Sequence, residues 1–86
     1  MSRGRAPKTT SIRLRLEDAR MAQAVRSAVL PETLSYKPSG SQVSLEIEGE
    51  VLILKIGTND VSSLRALINS YLRWILCAQE TIRILA

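Results

Sequence analysis

The stretch NDVSSLRALINSYLRWILCAQETIRILA, residues 59 to 86, decides the fold: it holds neither Gly nor Pro and keeps apolar residues at helical spacing to its end. Asn59 or Asp60 can cap its start by accepting from a backbone N–H one turn on, with Ser62 and Ser63 as further local acceptors. Val61, Leu64, Ile68, Tyr71, Ile75, Ala78, Ile82 and Leu85 then recur at steps of three and four, which lays one stripe along a helix. Leu67, Leu72, Trp74 and Leu76 widen that stripe on both flanks. Arg65, Asn69 and Arg73 fall at i, i+4 and i+8 and share the polar edge. A helix of about 26 residues spans roughly 39 Å, whereas a six-residue strand reaches roughly 20 Å. The helix is expected to overhang its sheet, and the apolar overhang from Trp74 onward to need a protein partner.

Immediately before it lies a second strong signal. VSLEIE (43 to 48) and VLILKI (51 to 56) flank Gly49-Glu50, a Gly-X pair suited to a type II′ hairpin turn. A two-residue loop pairs Glu48 with Val51, Ile47 with Leu52, Leu45 with Leu54 and Val43 with Ile56. All six of Val43, Leu45, Ile47, Leu52, Leu54 and Ile56 then share one face, and Ser44, Glu46, Glu48, Val51, Ile53 and Lys55 share the other.

Further toward the N-terminus, residues 11 to 16 (SIRLRL) alternate strictly and predict a half-buried strand, with Arg13 and Arg15 on the face that carries the glutamates. From Glu17 the period changes to that of a helix: Ala22, Val25 and Val29 face inward, Asp18 offers a cap, and Pro31 stops the pattern after Leu30. Its alanines at 19, 22, 24 and 28 permit close approach by a neighbouring element. Residues 32 to 42, ETLSYKPSGSQ, read as a loop. The predicted fold is therefore a two-layer α+β domain, β-α-β-β-α. Its three-stranded antiparallel sheet has order 1-3-2, and both helices lie on one face. One domain occupies residues 11 to 86, preceded by a basic arm, residues 1 to 10, with Arg3, Arg5 and Lys8.

Chain length supports one domain. Eighty-six residues bury only about 60–65% of the unfolded surface, which makes the core marginal and again favours association. With no Phe, one Trp and two Tyr, the core must come from Leu, Ile, Val and Ala. The leading segment is too polar for a signal peptide or anchor, and Arg65, Arg73, Glu80 and Arg83 interrupt the long helix as a membrane span. Cys77, alone and among Ile75, Leu76 and Ala78, excludes an intrachain disulfide and reads as a buried small hydrophobe in a reducing, intracellular setting.

Chemistry has little to work with. There is no His, no metal set and no Gly-rich phosphate loop, and Glu46 with Glu48 reads as a solvated sheet face beside Arg13, Arg15 and Lys55. Neither catalysis nor a cofactor is expected. The net charge of +4 allows nucleic-acid contact. Arg13, Arg15 and Lys55, with Arg3, Arg5 and Lys8 nearby, could neutralise RNA phosphates. That face offers no aromatic ring on which bases could stack, so such contact would be blind to sequence.

The run DVSSLRALINSYLRWI resembles the long C-terminal helix of the Pcc subunit (polarised growth chromatin-associated controller; CTAG/Pcc family) of the KEOPS complex. That pattern is approximately an acidic cap, Leu-Arg, then Asn-Ser-Tyr-Leu-Arg-Trp. The matching residues are Asp60, Leu64, Arg65, Asn69, Ser70, Tyr71, Leu72, Arg73 and Trp74, and the order of elements extends the likeness over residues 11 to 86. The resemblance implies a non-catalytic dimerisation and scaffold subunit, a homodimer or paralogue heterodimer. It would bind the transferase subunit that makes threonylcarbamoyladenosine beside the tRNA anticodon, and tRNA would be met through the assembled complex. Leu64, Tyr71, Leu72 and Trp74 would then serve helix packing at an interface, joined from the same stripe by Ile68, Ile75, Ile82 and Leu85. Arg65, Asn69 and Arg73 would be polar interface or tRNA-facing residues. A cytoplasmic location follows, nuclear if the source is eukaryotic. The alternative is a stand-alone nucleic-acid-binding or transcription-associated domain.

Overall fold

The computed structural model describes residues 8–35 and 40–85. The elements run β1 (Lys8–Arg15), α1 (Ala19–Ser35), β2 (Gln42–Glu48), β3 (Val51–Thr58) and α2 (Val61–Leu85). The sheet is antiparallel with order β1-β3-β2, as the sequence predicts. Each pairing in the predicted hairpin is present, from Glu48 with Val51 to Val43 with Ile56. Gly49 has φ +61° and, among the described residues, no non-Gly residue has positive φ, which fits a turn with its first central position in the left-handed region. A second glycine has a different reason. Gly40 has φ +80°, which residues with a side chain rarely adopt, and a Cβ there would come within 2.5 Å of the exposed Asn59 amide, which would have to turn aside.

Alternation fixes the two faces of the sheet. Leu45, Leu52, Leu54 and Ile56 are buried beneath the helices, with α1 over β2 and β3 and α2 over β3 and β1. Met21, Ala22, Val25 and Val29 of α1 and Leu67, Tyr71 and Ile75 of α2 complete the core. Ile53 points to the opposite face and is still only 3% exposed. It sits on the central strand between Arg13 and Glu46, whose long stems shield it.

Two elements run well beyond the sequence reading. β1 begins at Lys8, so Lys8, Thr9 and Thr10 pair with Thr58, Gly57 and Ile56 and do not belong to an arm. Arg3 and Arg5 lie outside the described residues. The alternation rule missed this extension because KTT carries no apolar signal, and the extended central strand supplies the pairing partner. α1 runs through Pro31 to Ser35. Proline removes the bond that would reach the Ser27 carbonyl, but tertiary contacts hold the final turn. Thr33 is buried and donates to Leu30 O at 2.7 Å, and the Tyr71 hydroxyl donates to Glu32 O at 2.9 Å. Glu32 O is one of the last carbonyls of α1, which the helix itself leaves unpaired. Tyr71→Phe is expected to strip this cap and cost about 1–3 kcal/mol, read as a lower urea midpoint at unchanged slope.

Both predicted N-caps form. Asp18 accepts from Met21 N at 2.8 Å, and Asp60 accepts from Ser63 N at 2.7 Å. Thr58 Oγ1 donates to Asp60 O at 2.7 Å, which fixes the sharp passage from β3 into α2. Asp60→Ala should lower stability by about 1 kcal/mol. At the other end Arg83 bonds Glu17 at 2.7 Å and also Glu80, tying the end of α2 to the start of α1. Its pKa is raised further above the ordinary arginine value, first by the hydrogen bond it donates to Glu17 and then by that carboxylate's charge.

Candidate interaction surface

Burial divides α2 into three strips. Leu67, Tyr71 and Ile75 form the fully buried one, and the Tyr71 and Trp74 rings meet edge to face at 5.0 Å and 78°. Leu64, Ile68, Leu72, Trp74, Ala78 and Ile82 are partly buried against the same core. Arg65, Ala66, Asn69, Arg73, Leu76, Cys77 and Glu80 are exposed. The interface candidates Tyr71 and Ile75 therefore hold the domain together from within. Leu64, Ile68, Leu72, Trp74 and Ile82 show a partner only part of their surface, while Leu85 is 80% exposed. Leu76, read at first only as thickening the stripe, is 60% exposed beside Arg73 on the polar edge. Its step of three from Arg73 was the signal available in the sequence.

Cys77 corrects another expectation, because it is exposed. Four steps from Arg73 and three from Glu80, it falls on the polar edge, and apolar neighbours in sequence do not bury a helical residue whose angular position faces away from the core.

The outer face of the sheet is charged but paired. Arg13 bonds Glu48 at 2.9 Å, Arg15 bonds Glu50, and Lys55 meets Glu46 at 3.2 Å. Arg13 reaches over β3 to do so, as its partner lies two strands away. All these groups are well exposed, the least of them Glu50 at 42%, so each pair contributes at most about 1 kcal/mol. A phosphate meeting Arg13, Arg15 or Lys55 would first have to displace a carboxylate. Arg65 and Arg73, by contrast, make no ion pair among the described residues. The structure thus brings Arg65, Asn69, Arg73 and Leu76 onto one accessible strip and sets Arg13, Arg15 and Lys55 apart on the far side of the sheet. No group of His, Cys, Asp and Glu among the described residues could hold a metal ion. Among the same residues no helix is long and apolar enough to cross a membrane.

The sequence matches, over residues 9–83, the family model described as Transcription factor Pcc1. The chain belongs to the Pcc1 family. A curated relative, KEOPS complex subunit Pcc1 of Pyrococcus abyssi, is 39% identical over 64 residues, which cover 74% of this chain and 78% of the relative. Among solved structures, the crystal structure of the binary complex Gon7-Pcc1 has a chain that superposes with a TM-score of 0.80 at 23% identity. The match covers 92% of this chain and 96% of that one, and it shows a shared fold. The Pcc1 match takes in the whole sheet apart from Lys8 and all but the last two residues of α2, so the exposed strip belongs to the family region.

Proposed function

We propose that this Pcc1-family chain is a non-catalytic scaffold subunit of a KEOPS-type complex, self-associating and binding the transferase subunit that modifies the adenosine beside the tRNA anticodon. The observation that carries the reading is the accessible strip Arg65, Asn69, Arg73 and Leu76 on α2, where guanidinium groups with no ion pair among the described residues lead up to an exposed apolar side chain. Such a mixture is what protein interfaces favour, since Arg pairs bidentately with carboxylates while the apolar neighbour excludes water. The name of the Pyrococcus relative and the solved pairing of Pcc1 with Gon7 support a role in assembly. The proposed setting is intracellular, with tRNA met only within the larger complex.

Co-purification of the tagged chain from its native cells tests this directly, with the expected result a stoichiometric complex containing a transferase. The tRNA arm has its own measurement. Because Arg65 and Arg73 lie in the strip assigned to the transferase, Arg13 and Arg15 are the phosphate contacts left to this chain in the assembled complex, and replacing both by Gln should flatten the salt dependence of its tRNA binding by at most about two units of slope. A slope equal to that of wild type would place tRNA on other subunits.

A further inference from the structure

The outer face of the sheet changes character halfway along. Toward Arg15 it is charged and paired, but toward Lys8 it carries short uncharged side chains on its flanking strands. Thr9, Gly57 and Gln42 form one row across β1, β3 and β2, and Ser11, Lys55 and Ser44 form the next. Together they line an open trough of about 740 Å³, a size that accepts a small organic molecule. No carboxylate lines it among the described residues. The Lys55 ammonium is held by Glu46 at 3.2 Å, which leaves the trough close to neutral. Gly57 is its floor, and the fold does not require a glycine there. Its φ is not positive, its pairing on both sides runs in register without a bulge, and a Cβ would meet only the Thr9 methyl group, at the ordinary contact distance of 3.6 Å. Glycine inside a central strand weakens the sheet, and what it offers in return is a bare peptide that a ligand can approach closely.

We propose that this trough binds the adenine ring of a nucleoside, free or at an unpaired position of RNA, with its face on the Gly57 peptide and its edge toward Gln42. The flat floor selects a planar ring. Neutrality selects an uncharged one, because a phosphate finds the Lys55 cation already taken by Glu46. Gln42 is exposed at the rim, and its side-chain amide sets a donor beside an acceptor, the complement of adenine N7 and the N6 amine. A purine with an oxygen at position 6 presents two acceptors instead and leaves the Gln42 carbonyl oxygen without a partner. Ser11 and Ser44, one row along, bring hydroxyls that both donate and accept, which suits the ribose. Helix α2 packs on the opposite face of the sheet, so the site is independent of the transferase-binding strip proposed above.

Adenosine added to the full chain, followed through the backbone amides by two-dimensional NMR, tests the site. Saturable shifts in the millimolar range are expected at Thr9, Ser11, Gln42 and Gly57, with inosine at least about threefold weaker and inorganic phosphate leaving these amides unmoved. Gly57→Ala fills the floor and should weaken adenosine at least about tenfold while melting no lower than wild type, since the strand loses a glycine. Gln42→Ala should bring adenosine and inosine level. Wild-type adenosine affinity in folded Gly57→Ala would overturn the proposal. Equal binding of adenosine and inosine by the wild-type chain would overturn it too, and that measurement stands even if Gly57→Ala does not fold. A short oligoadenylate separates the two sources of the ring: saturation of the same amides at about tenfold lower concentration assigns the site to RNA, and an affinity no better than that of adenosine assigns it to the free nucleoside.

Discussion

Ile75→Glu is expected to leave no cooperative thermal transition. Ile75 is 1% exposed and packs with Leu67 and Tyr71 in the core, and the new carboxylate would have no partner there. Burying it costs several kcal/mol, or protonates it and still sacrifices the packing of the isoleucine. A domain of this size has about 5–15 kcal/mol of total stability at the upper end of expectation. Far-ultraviolet circular dichroism during heating and a urea titration check the result. A folded Ile75→Glu variant with a sharp transition would show that the core tolerates the change and that the α2 packing described above is wrong. The same substitution is consequently unsuitable as a probe of partner binding, since loss of the complex would report loss of the fold.

Leu76→Glu, one residue along, should behave in the opposite way. The side chain is already 60% exposed, so stability should change by less than about 0.5 kcal/mol. Its position beside Arg73 places it at the C-terminal end of the proposed transferase-binding strip, where losing an apolar anchor and adding a desolvated charge costs about 2–4 kcal/mol. That is a loss of affinity of about 30- to 1000-fold. Adding Arg73→Glu should deepen it. Calorimetry or pull-down with the purified transferase subunit reads the effect, and thermal melting of the free chain confirms the fold. Wild-type affinity in both variants would remove this strip from the interface.

Sequence alone determined the architecture of this protein, because the signals were local and agreed with one another. Alternation in residues 43 to 56, with Gly49 at its centre, sets the hairpin register, since a slip of one would turn Leu52 and Leu54 to water. The Asp18 and Asp60 caps and the change of period mark where helices begin. The Pcc resemblance was likewise readable from a run of adjacent residues. Only the tertiary structure decided which side chains of α2 remain accessible. Spacing gives a helix a stripe, but its angular zero depends on how the helix rolls against α1 and the sheet. A tilt of one residue's arc separates buried Ile75 from exposed Leu76 and Cys77. Tertiary contact also carried α1 past Pro31, through the Tyr71 hydroxyl from a residue 39 positions away in sequence, and extended β1 back to Lys8. The pairing of Arg13, Arg15 and Lys55 with Glu48, Glu50 and Glu46, and the capping of Leu45 O by Arg26, are of the same kind. Each is a long side chain meeting a group brought near by folding, and no periodicity in the chain encodes which cation will be taken and which left free.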